Sequence, residues 1–292
     1  MFDPRRHAVR PDLADSRLAD LLPEDHPVVD GALEQVIAPV VPIFAHPSGT
    51  AERASEALLG ERVMVFEDRD GFSWCQLETD GYVGYIPTAA LSPDVAEPTH
   101  RVSAVRTFVY SDPDFKSVVS AALFMGSDVV VSATDPDGFC QIGEREWVFS
   151  GHVSPVAAVS ETDPMAVAEQ FLHSPYLWGG RSSLGLDSAA LVQRAFAACG
   201  RSLPRDSDLQ ESEPADWLDD HDGAAWAQAL PGDLLFWTDH VALVSAPETL
   251  IHASVHAMAV VQEPVAQAVA RIEATGIGAP RLIRRPTVLR ES

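Results

Sequence analysis

Short apolar segments separated by turn-forming residues dominate the chain from about Val36 to residue 160. The segments VIAPVVPIFAHP, RVMVFEDRDGFSWCQLE and DGYVGYIPTAAL are rich in β-branched and aromatic residues, and clusters of Gly, Pro, Ser or Asp lie between them. Several short strands at this spacing are typical of a small barrel. The pattern therefore predicts a first β-barrel over residues 36–95.

The same pattern then occurs a second time. The segment that begins at Gly60 and the segment that begins at Gly126 both contain a β pair, a D-x-D-G turn and a closing strand, in that order. This match indicates an internal repeat of about 60 to 65 residues. It predicts a second barrel over residues 96–160.

Residues 1–35, with the segment LADSRLADLLPED, are predicted to form a helical arm.

Helical spacing of apolar residues replaces the strand pattern after Glu161. Asp163 and Pro164 have the positions of an N-cap and a first-turn proline. A second helix is predicted to begin after Asp187, its N-cap, and to end at Gly200. Ser188 then lies at a helix N-terminus, where the helix dipole would lower the pKa of a thiol.

Two histidines lie on neighbouring segments that read as strands, HVALVSA and TLIHAS. A turn with proline between them predicts an antiparallel hairpin. With a three-residue loop, Ser245 lies opposite Thr249. His240 and His252 are then diagonal neighbours on one face, roughly 7 to 8 Å apart between Cα atoms. A one-residue slip of register would place them on opposite faces.

Composition and charge exclude several classes of protein. The 292 residues are 46% hydrophobic and 22% charged, which is ordinary for a folded domain. The formal net charge of −23 disfavours binding to nucleic acid or to an anionic membrane. No signal core or membrane-spanning stretch is visible, and three widely spaced cysteines predict reduced thiols. We therefore expect a cytoplasmic location.

The C-terminal part contains the segments PYLWGG, GLDSAALVQ, LPRDSDLQ and PGDLLFW in this order, followed by the two histidines. This combination resembles the NlpC-type cell-wall peptidases, cysteine enzymes with a papain-like core. Their pattern combines PY-x-WGG, G-x-DCSGLVQ, LPRxSxxQ and PGDL-x-FW with a later histidine and a polar third residue. The resemblance covers residues 161 to about 287. The matching positions are Pro175-Tyr176, Trp178-Gly179-Gly180, Gly185 to Gln193, Leu203 to Gln210, Pro231 to Leu234, Phe236-Trp237, His240 and His252.

The resemblance implies an α+β fold: a papain-like peptidase domain over residues 161–292, preceded by two small β-barrels that resemble bacterial Src-homology-3 domains. It implies hydrolysis of the bond between γ-D-glutamate and the diamino acid of short murein peptides during peptidoglycan recycling. Residue 188 would attack the carbonyl carbon, His240 would transfer the proton and His252 would orient His240. Tyr176 and the residue-188 N–H would stabilise the oxyanion.

Substrate-binding residues follow from the same resemblance. Asp206 stands where the family binds the free N-terminal ammonium of the peptide. Asp187 is a further substrate-binding candidate. Tyr85 and Tyr82, in the first barrel, are candidates for an aromatic side chain that closes the end of the cleft. Trp178 and Trp237 are expected to be core residues.

Ser188 departs from the family, which has cysteine at this position, and Ala189-Ala190 follow in place of Ser-Gly. Because a hydroxyl is far less acidic than a thiol, the hydrolytic activity of the family does not follow for this chain from the resemblance. Three interpretations stay open: a serine put in place of the cysteine by design to inactivate the site, a natural peptide-binding pseudoenzyme, and a working serine nucleophile. Acyl transfer on the same fold is a further alternative.

Metal and cofactor binding are not expected. The candidate zinc ligands are His240, His252, His256 and Asp239, but the sequence has no H-E-x-x-H and no CxxC motif. Gly179-Gly180 is also too short for a phosphate-binding loop. A murein-derived peptide is the expected partner.

Overall fold

The computed structural model describes residues 2–213 and 218–286. The chain divides into two compact units, Met1–Ala158 and Val159–Ser292. The division falls close to the boundary after residue 160 that the change from strand to helix pattern predicts.

The N-terminal segment contains little regular structure. Two short strands, β1 (Ala14–Asp15) and β2 (Val28–Val29), pair in parallel on either side of a 3₁₀ helix, Ser16–Leu21. Asp15 begins that helix because its side chain accepts a hydrogen bond from the Arg17 N–H. The predicted helical arm is therefore one short 3₁₀ helix, and the first barrel begins at Ala32.

The first barrel is a seven-stranded antiparallel sheet in the order β5-β4-β8-β7-β6-β3-β9. Asp70 and Gly71 both have positive φ and form the two-residue turn between β6 and β7. Alternate residues of the strands point inward and form the core around Ile43, Val63 and Ile86. The strands are β3 (Ala32–Val36), β4 (Val40–Phe44), β5 (Arg53–Leu58), β6 (Arg62–Arg69), β7 (Phe72–Leu77), β8 (Val83–Pro87) and β9 (Leu91–Ser92).

A second β-rich part follows in the same unit and has its own core around Val109, Leu123 and Val148. It comprises a three-stranded sheet, β13-β10-β17, and a five-stranded sheet, β12-β11-β16-β15-β14. Gly138 has a positive φ in the turn before β15. The strands are β10 (His100–Val102), β11 (Arg106–Tyr110), β12 (Val119–Phe124), β13 (Asp128–Val129), β14 (Ala133–Thr134), β15 (Phe139–Gly143), β16 (Glu146–Phe149) and β17 (Val153–Pro155).

The second unit combines helices with a six-stranded sheet in the order β20-β25-β21-β22-β23-β24 and a two-stranded sheet, β18-β19. Its helices are α1 (Pro164–Glu169), α2 (Ser188–Ala198), α3 (Ser207–Ser212) and α4 (Val265–Ala274). Its strands are β18 (Arg181–Ser182), β19 (Gly185–Leu186), β20 (Leu218–Asp222), β21 (Leu234–Trp237), β22 (His240–Ala246), β23 (Thr249–Ser254), β24 (Ala259–Pro264) and β25 (Leu282–Pro286).

Helix α2 is the central helix of this unit. Every residue from Ser188 to Phe196 is buried, including the polar side chains of Gln193 and Arg194. It packs against β22 and β23, the strands that hold the two histidines. Within residues 2–213 and 218–286, no helix combines the length and apolarity needed to span a bilayer.

Candidate active site

Asp187 begins helix α2 as its sequence predicts. Its Oδ1 accepts a hydrogen bond from the Ala190 N–H at 2.9 Å, and the helix ends next to Gly200, whose φ is +73°. Ser188 is the first helical residue and is 6% exposed. The N–H groups of the first turn and the helix dipole therefore favour negative charge at residue 188.

The Asp187 carboxylate is fully engaged by the protein. Besides Ala190, it accepts a hydrogen bond from the Gly179 N–H at 3.0 Å and two from the buried Arg205 guanidinium, at 2.9 and 2.6 Å. These four N–H donors fix Asp187 at the start of α2. Its assignment to the substrate stays a prediction.

The two glycines before α2 allow this arrangement. Gly179 has φ +72°, a conformation that side chains disfavour. A Cβ on Gly180 would lie 2.3 Å from the carbonyl oxygen of Gly185, which is too close for any side chain. The loop therefore passes directly against the chain that leads into Ser188.

The LPRxSxxQ segment packs around the same helix end. Gln210 Nε2 donates to the carbonyl oxygens of Ala189 at 2.9 Å and Pro204 at 2.8 Å. Gln193 Nε2 donates to the Leu203 carbonyl oxygen at 3.1 Å. This part of the motif is therefore a scaffold for α2. Arg205, which the sequence analysis did not single out, is its ionic component.

His240 and His252 lie within hydrogen-bond distance of each other, with His240 Nε2 and His252 Nδ1 2.8 Å apart. The strand register has Val244 opposite Leu250, as the sequence predicts, so both rings lie on one face. The predicted three-residue loop is wrong. Ala246 pairs with Thr249 after a register shift, which leaves a two-residue turn.

The ring of His240 is neutral at neutral pH. Burial is the largest effect that disfavours the imidazolium, and the electrostatic effects of His252 and Arg271 act in the same direction against the opposing effect of Glu263, so the pKa of His240 is lowered to about 3. A neutral imidazole has one free lone pair and can accept a proton. His240 therefore has the protonation state that a general base needs.

The site extends beyond the two histidines to residues that the sequence analysis missed. His252, which is 1% exposed, has its Nε2 2.8 Å from Glu263 Oε1, and Arg271 donates to both oxygens of Glu263. His252 pairs with Val261 across the sheet, so Glu263, two residues further along β24, lies on the same face. Strand alternation beside His252 could have identified this carboxylate.

Tyr176 is half-buried and keeps its proton at neutral pH. Burial and the nearby Asp187 carboxylate raise the pKa of its hydroxyl to about 12, against the opposing effect of Arg205. The hydroxyl is therefore available as a hydrogen-bond donor. Its assignment to the oxyanion stays a prediction.

Asp206 immediately precedes α3, and its side chain makes no capping hydrogen bond to that helix. The Asp206 side chain therefore does not cap α3. The residue is half-buried. Its proposed contact with a peptide ammonium stays a prediction.

Four further aromatic residues singled out from the sequence differ in burial. Tyr82 is 5% exposed and belongs to the core of the first barrel, and its assignment to the substrate stays a prediction. Tyr85 is half-buried, and its hydroxyl accepts a hydrogen bond from Arg10 Nη1 at 3.2 Å. Trp237 is core as expected, whereas Trp178 is 53% exposed and the prediction that it is core is wrong.

In the described residues, no three His, Cys, Asp or Glu side chains are grouped to hold a metal.

Two segments of the chain match models of known families. Residues 173–277 match the model of the NlpC/P60 family. The second unit is an NlpC/P60 domain. Residues 43–91 match the model described as a bacterial dipeptidyl-peptidase Sh3 domain, so an SH3-like domain precedes the papain-like domain. The resemblance inferred from the motifs is confirmed. The assignment of residues 96–160 to a second such barrel stays a prediction.

Two relatives are similar to this chain over most of its length. Dipeptidyl-peptidase 6 of Lysinibacillus sphaericus is 26% identical over 241 residues, which cover 75% of this chain and 86% of that protein. Gamma-D-glutamyl-L-lysine dipeptidyl-peptidase of Bacillus subtilis (strain 168) is 26% identical over 204 residues, which cover 63% of each chain.

A solved structure shows the same fold over most of the chain. The NlpC/P60 family protein from Bacillus cereus ATCC 10987 has a TM-score of 0.70 and 16% sequence identity. The likeness covers 88% of this chain and 99% of that one. At this identity the comparison establishes the α+β fold, and the chemistry rests on the residues themselves.

Proposed function

We propose that the NlpC/P60 domain binds short murein peptides with a free N-terminal L-alanine and has the catalytic arrangement for cleaving the bond between γ-D-glutamate and the diamino acid. The observation that carries this proposal is the hydrogen bond between His240 and His252 on strands against which the Ser188 helix packs. With serine at residue 188, the chain as written binds such peptides and does not hydrolyse them.

The reaction needs a nucleophile at residue 188. In the Ser188→Cys form, the sulfur attacks the γ-glutamyl carbonyl carbon and its proton passes to His240. His240 then protonates the leaving amine of the diamino acid, which breaks the amide bond. The N–H of residue 188 and the Tyr176 hydroxyl stabilise the oxyanion of the intermediate. Water then hydrolyses the thioester and releases L-Ala-D-Glu.

Serine at this position stops the first step. The helix N-terminus lowers the pKa of a thiol into a useful range, whereas a hydroxyl stays protonated at neutral pH. His240 is already neutral and held by His252, so the remaining parts of the site are present. This contrast supports the loss of the nucleophile with the histidine pair retained.

The substrate class rests on the resemblance and on the relatives' names. The name of the Bacillus subtilis relative specifies a γ-D-glutamyl-L-lysine bond. We propose the corresponding bond as the target here, with L-lysine or diaminopimelate as the diamino acid. Asp206 is proposed to hold the N-terminal ammonium, and Tyr85 stays a candidate for peptide contact from the resemblance alone.

Peptide binding by the chain as written tests this substrate class. Calorimetry with L-Ala-γ-D-Glu-L-Lys and L-Ala-γ-D-Glu-diaminopimelate should detect binding of at least one, and N-acetylation of the alanine should abolish it. Asp206→Asn should weaken binding of the free peptide by about 10-fold or more, because an ion pair is lost. Asp208→Asn, which changes an exposed carboxylate on α3, is the matched control. Equal binding of free and acetylated peptide would contradict the proposal.

A peptide-binding pseudoenzyme is the second candidate function. The observation that favours it is the change of three consecutive residues, since Ser188-Ala189-Ala190 stand where the family has Cys-Ser-Gly. Under this alternative, the Ser188→Cys form would still bind the peptide and would release no product.

A further inference from the structure

A chain of four polar side chains runs from His240 through His252 and Glu263 to Arg271. The nitrogen-to-nitrogen distance between the histidines and the distance from His252 Nε2 to Glu263 Oε1 are both 2.8 Å. Arg271 Nη1 and Nη2 donate to Glu263 Oε2 and Oε1, each at 2.5 Å. Glu263 lies on β24 and Arg271 on α4, so two further elements support the histidine pair.

Glu263 accepts hydrogen bonds and donates none. Burial acts to raise the pKa of this carboxyl, but hydrogen bonds from His252 and Arg271 outweigh that effect and hold the pKa at about 2. An ionised carboxylate has no proton to donate. The nitrogen that faces it, His252 Nε2, must therefore bear a hydrogen.

In the state in which both imidazoles are neutral, each ring bears one N–H and one lone pair, and this fixes the remaining proton positions. With its hydrogen on Nε2, a neutral His252 presents a lone pair at Nδ1. This lone pair faces His240 Nε2, which therefore donates. His240 then has its own lone pair at Nδ1.

We propose that Glu263, held in place by Arg271, is a positioning residue that fixes both histidines as Nε2–H tautomers and so makes His240 Nδ1 the nitrogen that takes the proton from residue 188. The catalytic part of this statement rests on the proposed function. The tautomers are a property of the chain as written and can be measured without any activity.

Removing the carboxylate should reverse the tautomers. In Glu263→Leu, an Nε2–H on the buried His252 would lose its acceptor, and an unpaired buried donor costs about 1–3 kcal/mol. Arg271, freed from Glu263, can donate to a bare His252 Nε2. The proton of His252 then moves to Nδ1, and His240 becomes the Nδ1–H tautomer with no lone pair for residue 188.

Imidazole ¹⁵N spectra of the chain as written test the proposal directly. We expect His240 and His252 both as Nε2–H tautomers at pH 7. We expect Glu263→Leu to shift both toward Nδ1–H, whereas Glu263→Gln and Arg271→Gln, which each keep an acceptor oxygen at residue 263, should retain the Nε2–H form. Glu273→Gln removes an exposed carboxylate from α4 and is the charge-matched control.

Activity gives a second readout in the Ser188→Cys background. Glu263→Leu should lower kcat by about 10²-fold, the typical contribution of general base catalysis, with KM nearly unchanged. Glu263→Gln should restore most of kcat. If the chain as written shows an Nδ1–H His240, or if Glu263→Leu leaves the tautomers unchanged, the proposal is overturned. If no Ser188→Cys form cleaves peptide while the tautomers shift, the proposed function fails and the positioning role stands.

Discussion

Arg205 donates two hydrogen bonds to Asp187, from Nη1 to Oδ1 at 2.9 Å and from Nη2 to Oδ2 at 2.6 Å. Asp187 is also the N-cap of the helix that begins with Ser188. This buried ion pair therefore joins the LPRxSxxQ segment to the position of the nucleophile. It gives the arginine of that segment a structural reason to be present.

Replacing Arg205 should destabilise the NlpC/P60 domain strongly. Arg205→Ala leaves the Asp187 carboxylate buried without its cation, which typically costs about 3–5 kcal/mol. Arg281→Ala, which removes a half-exposed partner of Glu211, should cost only about 0–1 kcal/mol. Urea unfolding of the two variants measures the difference. An Arg205→Ala loss no larger than that of Arg281→Ala would refute the role assigned to this pair.

A cysteine at residue 188 should be more reactive than any natural cysteine of the chain. The helix N-terminus should bring its pKa below the ordinary value of about 8.5. Burial raises the pKa of Cys75 and raises that of Cys199 to about 11. Iodoacetamide labelling across pH, followed by peptide mapping, should show selective alkylation at residue 188 of the Ser188→Cys form. An apparent pKa at or above about 8.5 would count against this electrostatic account.

The lowered pKa of His240 should make stability depend on pH. Its value of about 3 in the folded chain is below the ordinary 6.5, so the unfolded chain binds more protons as pH falls. The contribution of His240 to the free energy of unfolding is therefore fully present above pH 6.5 and is lost progressively as the pH falls toward 3. Glu263, with its pKa lowered from 4.5 to about 2, adds a further loss only below about pH 4.5.

Between pH 6.5 and 4.5, the effect of His240 on stability can therefore be measured separately from that of Glu263. We expect the urea midpoint of the chain as written to fall across this window more steeply than that of His240→Gln. His256→Gln, which changes an exposed histidine, should behave like the unmodified chain. Parallel curves for all three proteins would show that His240 titrates normally.

Tyr176 should contribute to the rate and not to peptide affinity. Because its hydroxyl stays protonated, Tyr176→Phe in the Ser188→Cys background removes one oxyanion donor, which we expect to lower kcat by about 10²-fold. The peptide dissociation constant, measured in the Ser188 form with and without Tyr176→Phe, should be nearly unchanged. A loss of binding with an unchanged kcat would assign the tyrosine to the substrate.

Local sequence rules predicted the parts of the site that depend on neighbouring residues. The Asp187 cap, the end of the helix near Gly200 and the shared face of the two histidines all follow from capping and strand alternation. The predicted length of the turn after β22 was wrong because a bulge near Ser245 adds one unpaired residue to the strand. Such bulges have no distinct sequence signal in an apolar strand.

Features that depend on tertiary contacts could not be predicted from local sequence rules. The aromatic ring of Tyr82 packs into the barrel, and Trp178 is exposed, although both types of residue occur in either environment. Asp187 and Arg205 are 18 residues apart in sequence, so their pairing is visible only once the loop has folded. Glu263 and Arg271 were missed because an acidic residue at a strand end usually faces solvent.

Cleavage of L-Ala-γ-D-Glu-diaminopimelate and its L-lysine analogue by the chain as written and by Ser188→Cys, followed by mass spectrometry, tests the central claim most directly. We expect L-Ala-D-Glu to appear only with Ser188→Cys and to disappear again when His240→Gln is added. Product release by the Ser188 form, or no product from a Ser188→Cys form that binds both peptides, would contradict the account.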